Sequence, residues 1–250
     1  MSLKRIAMQT LVGIILLSGL ACAGGSGNVT STPTPRPTHV IIEAKPKPNL
    51  SVNIQPFIDA GCVKENGHLN CSCIGLEEKY SLRTIVQPSE FLGGLSPKVP
   101  IVECTFEQEN YSADEGIVHK GCLAFIFNKY IILENNSFRL INNGEEFKQF
   151  FAPVETPEEA LSFAVALTNS YPSYNITIPE QWDVFVSKIE ETYVQETPEG
   201  FHVHLFRHSF CGCEHPDFAV DYLVTRTGEV SVISTQKIFN NPVLDGMCID

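Results

Sequence analysis

"EETYVQETPEGFHVHLFRHSFCGCEHPDFAVDYLVTRTGEVSVIS", residues 190–234, decides the fold. β-branched and aromatic residues dominate it, and turn chemistry interrupts it at "TPEG" (197–200) and again at Thr227-Gly228. The pattern predicts two hairpins in succession, an antiparallel meander of about four strands. Continuing the second hairpin back from its turn places residues near Ile238 opposite Asp217.

Working outward, "ETPEEALSFAVALTNSY" (155–171) carries a helix start: Thr156 to cap, Pro157 for the first turn and Glu159 to complete a capping box ahead of an Ala/Leu/Phe/Val run. "NNGEEFKQFF" (142–151) reads as a short helix stopped by Pro153. "VPIVECTF" (99–106), "GCLAFIFNKYIIL" (121–133) and "SFRLI" (137–141) read as strands separated by Asn/Gly turns, and residues 62–95 as a loop-rich segment held by cystines. The expected class is α+β: an antiparallel meander packed on one main helix, preceded by a β-rich, disulfide-held region. The divisions are 1–21, 22–48, 49–150 and 151–250, the last two joined as one covalent unit.

A helix followed by an antiparallel meander, over about residues 155–240, resembles the cystatin-like and NTF2-like folds, in which a curved sheet wraps a helix. The likeness is one of topology. The chain has no cystatin inhibitory motif, so no residue role carries over, and folds of this kind host binding modules, inhibitors and small enzymes alike.

At the N-terminus, Lys4 and Arg5 precede "LVGIILLSGL" (11–20), an apolar run of signal-peptide length, short of the roughly 20 residues a spanning helix needs. "SGLACAGGSG" (18–27) then resembles the lipobox of bacterial lipoproteins, with Gly19 where that family usually has Leu. The resemblance implies cleavage before Cys22, which would carry the diacylglycerol, with palmitate-type chains, that anchors the chain to a membrane. The other reading is an ordinary secretory signal cut after Ala21-Cys22-Ala23. Both place the chain outside the cytoplasm, anchored in one case and secreted in the other. Residues 22–48, rich in Gly, Ser, Thr and Pro, read as a tether.

Charge narrows the partners. The chain has 17 Lys+Arg and 29 Asp+Glu; removal of residues 1–21 takes Lys4 and Arg5 and no acid, leaving 15 against 29 and a net charge of −14. The basic residues are scattered, so nothing is built to neutralise a row of phosphates, and nucleic acid is not an expected partner. The expected partners are the membrane, through the lipid anchor, and an unidentified protein or small-molecule ligand.

Beyond Cys22 there are eight cysteines: Cys62, Cys71, Cys73, Cys104, Cys122, Cys211, Cys213 and Cys248. In an oxidising compartment an even set reads as a disulfide framework. Five precede residue 130 and three follow residue 210, so full pairing requires an odd number of bridges between those regions. The tail "FNNPVLDGMCID" (239–250) can bend back past the meander, which makes Cys211 or Cys213 the expected partner of Cys248 and sends the other towards the N-terminal group, to Cys71 or Cys73.

The chemistry-bearing residues cluster on the strand before that loop. His202, His204 and His208 alternate onto one face, and His215 follows the two cysteines. An H-x-H pair on a strand can place two imidazoles around zinc or copper, with His208 or His215 as a third ligand. The bland alternative is a solvated polar face opposite the core. Asp221, on the next strand, is the one acidic partner in view. The chain has no P-loop, G-x-S-x-G, G-x-G-x-x-G, HExxH or EF-hand loop. The expectation is an envelope-tethered binding or interaction module rather than an enzyme. A metal-dependent enzyme on His202/His204 and a structural envelope component are the alternatives.

Overall fold

In the computed structural model, residues 39–107, 115–122 and 126–249 are described. The segment read as a signal peptide, Cys22 and the first part of the segment read as a tether, to residue 38, lie outside them. Strand β1 (Ile41–Glu43) is followed by the short helix α1 (Gln55–Asp59), and then by β2 (Val63–Glu65), β3 (His68–Asn70), α2 (Leu76–Lys79) and β4 (Thr84–Val86). After these come β5 (Ile101–Glu107), β6 (His119–Lys120), β7 (Ile126–Glu134) and β8 (Ser137–Ile141). Neighbours in the first sheet run β2-β3-β4-β5-β7-β6, and β8 also pairs with β7. Asn135 and Asn136 form the tight turn between β7 and β8, with φ of 49° and 59°. Asn is among the few residues that take this conformation cheaply.

Two helices follow. Asn143 caps α3 (Gly144–Phe151), its side chain accepting from the Glu146 N–H. The capping box read in the sequence is present on α4 (Pro157–Leu167): Thr156 Oγ1 accepts from Glu159 N, and Glu159 Oε2 accepts from Thr156 N. Helix α4 is apolar almost all round and correspondingly enclosed, with Ala160, Leu161, Phe163, Ala164 and Ala166 buried. On one side Gly94 lies so close that a Cβ there would run into the Glu158 carbonyl and the Ser162 hydroxyl.

The remaining strands are β9 (Asp183–Val184), β10 (Lys188–Glu190), β11 (Tyr193–Thr197), β12 (Gly200–His208), β13 (Pro216–Thr225) and β14 (Val230–Asn240). The order β11-β12-β13-β14-β9, antiparallel throughout, contains the expected meander. Phe201, Val203 and Leu205 of β12 pack with Phe163 of α4 and Tyr130 of β7 in the main hydrophobic cluster. The class is α+β, as the sequence predicts. Asp217 stands opposite Phe239, beside Ile238 as expected, and β14 carries two bulges, one beside Asp217 at Ile238 and one beside Asp221.

The stretch 22–48, read as a tether, includes strand β1 near its end. Val40 and Ile42 pack against a cluster that includes Phe206, Ala219 and Ile238, and β1 pairs in parallel with β10. The apolar run "HVII" (39–42) has a surface to bury and takes it.

Three disulfides form, fitting an oxidising, extracytoplasmic setting. Cys213–Cys248 is one of the two pairings expected for the tail, and Gly212 and Ile249 pair beside it. Cys211 does reach the N-terminal region, but to Cys122 rather than to Cys71 or Cys73, because Cys71 is taken by Cys62. Cys73 and Cys104 are unpaired, which corrects the expectation of a complete framework. Leu69 pairs with Ile85 and Ile85 with Cys104, so Cys104 sits in β5, two strands along from β3. Cys73 is exposed while Cys104 is fully buried, and burial pushes the Cys104 thiol up to about 12. Among the described residues no helix is long and apolar enough to cross a membrane.

Candidate functional site

The histidines of β12 stand on the face away from α4, and that face is partly covered. The segment from Tyr171 to Glu191, together with β1, provides the cover, leaving His204 only 7% exposed. Strand pairing sets His204 opposite Asp221. One carboxylate oxygen of Asp221 bonds both His204 Nδ1 (2.7 Å) and His202 Nε2 (3.0 Å), and the other accepts from Ser234 Oγ (2.6 Å). Tyr193 stacks on the His204 ring, 5.2 Å between centroids and 7° between planes. Burial works to raise the Asp221 pKa, but the hydrogen bonds from His204, Ser234 and His202 outweigh it and hold the carboxyl well below the usual carboxylate range. Ser234 bonds the carboxylate and not a histidine, so the trio lacks the nucleophile–base contact of a hydrolytic triad.

His208 and His215 lie elsewhere. Asp217 holds His208 at Nδ1 (3.1 Å), and the His208 and His215 rings stack with centroids 6.4 Å apart. Each nitrogen of His215 faces a backbone carbonyl: Nδ1 that of Ser209 (3.2 Å) and Nε2 that of Met247 (2.8 Å). That ring pins the tail to the cystine loop. His202 and His204 therefore share Asp221, His208 has Asp217 and His215 has two backbone carbonyls, and among the described residues no group of three or more His, Cys, Asp or Glu is arranged to hold a metal ion.

The Asp221 cluster acts as a structural brace, and its effect on stability is measurable. Asp221→Ala leaves a buried histidine without its acceptor and removes three charge-assisted bonds, which should cost about 3 kcal/mol. A carboxyl whose pKa is lower folded than unfolded binds its proton more readily in the unfolded chain. Its stabilisation is then complete above about pH 4 and lost as pH falls below that. Urea unfolding at pH 7 and pH 3 should show the gap between wild type and Asp221→Ala shrinking at the lower pH. An equal gap at both would contradict this role.

A cavity of about 660 Å³ opens at the end of β12. Strand β11 pairs with β12 only as far as Tyr193↔His204, and Tyr171 takes over at Phe206 through two backbone bonds. Beyond Phe206 the sheet edge opens, and the cavity forms there between β6 and the last residues of β12. Arg207, His208 and Phe210 line it from β12 and the turn after it, Phe218 from β13 opposite Arg207, Lys120 from β6, and Tyr171 from the segment paired with Phe206. The Cys122–Cys211 bridge ties the segment after β6 to the turn after β12, and Gly121 and Cys211 are at the rim. Asp217, which is not itself in the lining, holds two residues that are, accepting from Tyr171 Oη (2.9 Å) and from His208. Burial first, and then Asp217, raise the Tyr171 pKa, so its hydroxyl stays a donor. Of these residues only His208 belongs to the histidine set read from the sequence. Lys120, Tyr171 and Arg207 carry no motif, and nothing local marks them.

The fold and the cavity define an extracytoplasmic α+β domain with a preformed, cystine-braced recess. The chain matches no protein-family model, no curated protein and no solved structure.

Proposed function

We propose that the chain is an envelope lipoprotein, tethered by lipid on Cys22, whose folded part binds a small molecule in the cavity at the end of β12. The observation that carries the binding reading is the cavity itself: about 660 Å³, in the range of small-molecule sites, with a few polar groups converging on aromatic walls. The bridge between Cys122 and Cys211 supports it, since a recess that exists before the ligand arrives avoids the cost of forming one. The signal-like N-terminus and the Gly/Ser run after Cys22 support the tether. Among the described residues no hydroxyl lining the cavity is bonded to a histidine, which favours binding over catalysis.

Two experiments test the two halves. Cys22→Ala, expressed in a bacterial host, should move the protein from the detergent phase to the aqueous phase, and continued partitioning with membranes would refute the anchor. Ser209→Trp, which fills the cavity from its rim, should abolish binding of small aryl fragments that the wild type takes up.

A further inference from the structure

We infer that the cavity takes a small organic anion, an aryl-sized apolar body carrying a phosphate or carboxylate; this rests on the cavity being the ligand site. The chain has 29 acidic residues against 17 basic ones, yet among the described residues no Asp or Glu lines this recess, while Lys120 and Arg207 both do. Ten of the fourteen lysines and arginines among the described residues lie within 4 Å of a carboxylate, and Lys45, Lys47, Lys148, Lys188 and Arg226 lie within 3 Å of one. Arg207 has no ion pair among the described residues, and its guanidinium lies 5.7 Å from the Phe218 ring centre. A planar guanidinium held on an aromatic face presents its N–H fork to a phosphate or carboxylate. Lys120 lines the same recess from β6, and its one ion pair, to Glu103, is loose at 3.6 Å. Asp217, outside the lining and 5% exposed, is occupied by Tyr171 and His208. It therefore orients donors rather than closing the site to anions. The apolar part of the ligand has Phe218 and Phe210 to meet, the latter 64% exposed with its ring against His208.

The test is calorimetric titration of the purified protein with phenyl phosphate, benzoate and neutral phenol. Phenyl phosphate or benzoate should bind at least about tenfold more tightly than phenol, with affinity falling as salt rises. Arg207→Met, which keeps the length of the side chain without its charge, should remove about that tenfold and leave phenol unchanged. Lys120→Gln, in β6, should weaken the anions in the same direction and serves if Arg207→Met does not fold. Equal binding of phenol and the anions, unmoved by either variant, overturns the anionic ligand while leaving a neutral one. Binding of none of the three overturns both the inference and the cavity reading on which it rests.

Discussion

Replacing Cys122 and Cys211 together with serine is expected to lower the unfolding free energy by about 4–5 kcal/mol. The bridge closes a span of 89 residues, the longest of the three; Cys213–Cys248 spans 35 and Cys62–Cys71 spans 9. On the chain-entropy relation a crosslink restricts the unfolded chain more the longer its loop, giving about 4 kcal/mol for the second bridge and between 2 and 3, roughly, for the third. The effect should extend beyond stability. Strand β6 is two residues long and pairs with β7 at His119 and Lys120, Ile117 and Val118 bond Asn128 beside it, and the Cys122–Cys211 bridge adds a covalent link from this segment to the end of β12. Loss of the bridge should therefore weaken ligand binding at temperatures where the variant is still folded. Urea denaturation of the double-serine protein provides the check. A loss below about 1 kcal/mol would mean that packing alone joins the two regions and that the entropy argument does not apply here.

The helix and meander were legible because their signals are local. Thr156, Pro157 and Glu159 form a cap within four residues, and "TPEG" and Thr227-Gly228 are turns by composition. The bulges on β14 were not legible, since an inserted residue such as Ile238 looks like any other position of an apolar strand. Parity pointed to a crosslink between the two regions, and hairpin geometry led to Cys248; no local rule could single out Cys122, whose approach to Cys211 depends on how two sheets meet. The face bearing His202 and His204 was open to misreading for a similar reason. What covers it comes from Val40 and Ile42 at one end of the domain and from Ile176, Ile178 and Val186 far along the chain. The parallel pairing of β1 with β10 leaves no mark in either sequence alone. The cavity is the extreme case, with Lys120, Tyr171, Arg207 and Phe218 brought together from separate segments.

The measurement that bears most directly on the cavity is fragment binding to the wild type and to Ser209→Trp. Ser209 lines the recess, and its contributions to the fold are backbone ones: its N–H bonds the Pro216 carbonyl and its own carbonyl faces His215. An indole placed there occupies the space a ligand would fill while leaving those bonds in place. With a panel of charged and neutral aryl fragments followed by NMR, at least one should bind the wild type with a dissociation constant of about 1 mM or tighter, a modest demand for ligands of that size. Its amide shifts should centre on Lys120, Tyr171 and residues 207–211. The same fragment should bind Ser209→Trp at least about thirtyfold more weakly, a loss of about 2 kcal/mol, while the variant keeps the wild-type unfolding midpoint. Binding that survives the substitution, or shifts that centre on His202 and Asp221 instead, would contradict the assignment of this cavity as the ligand site.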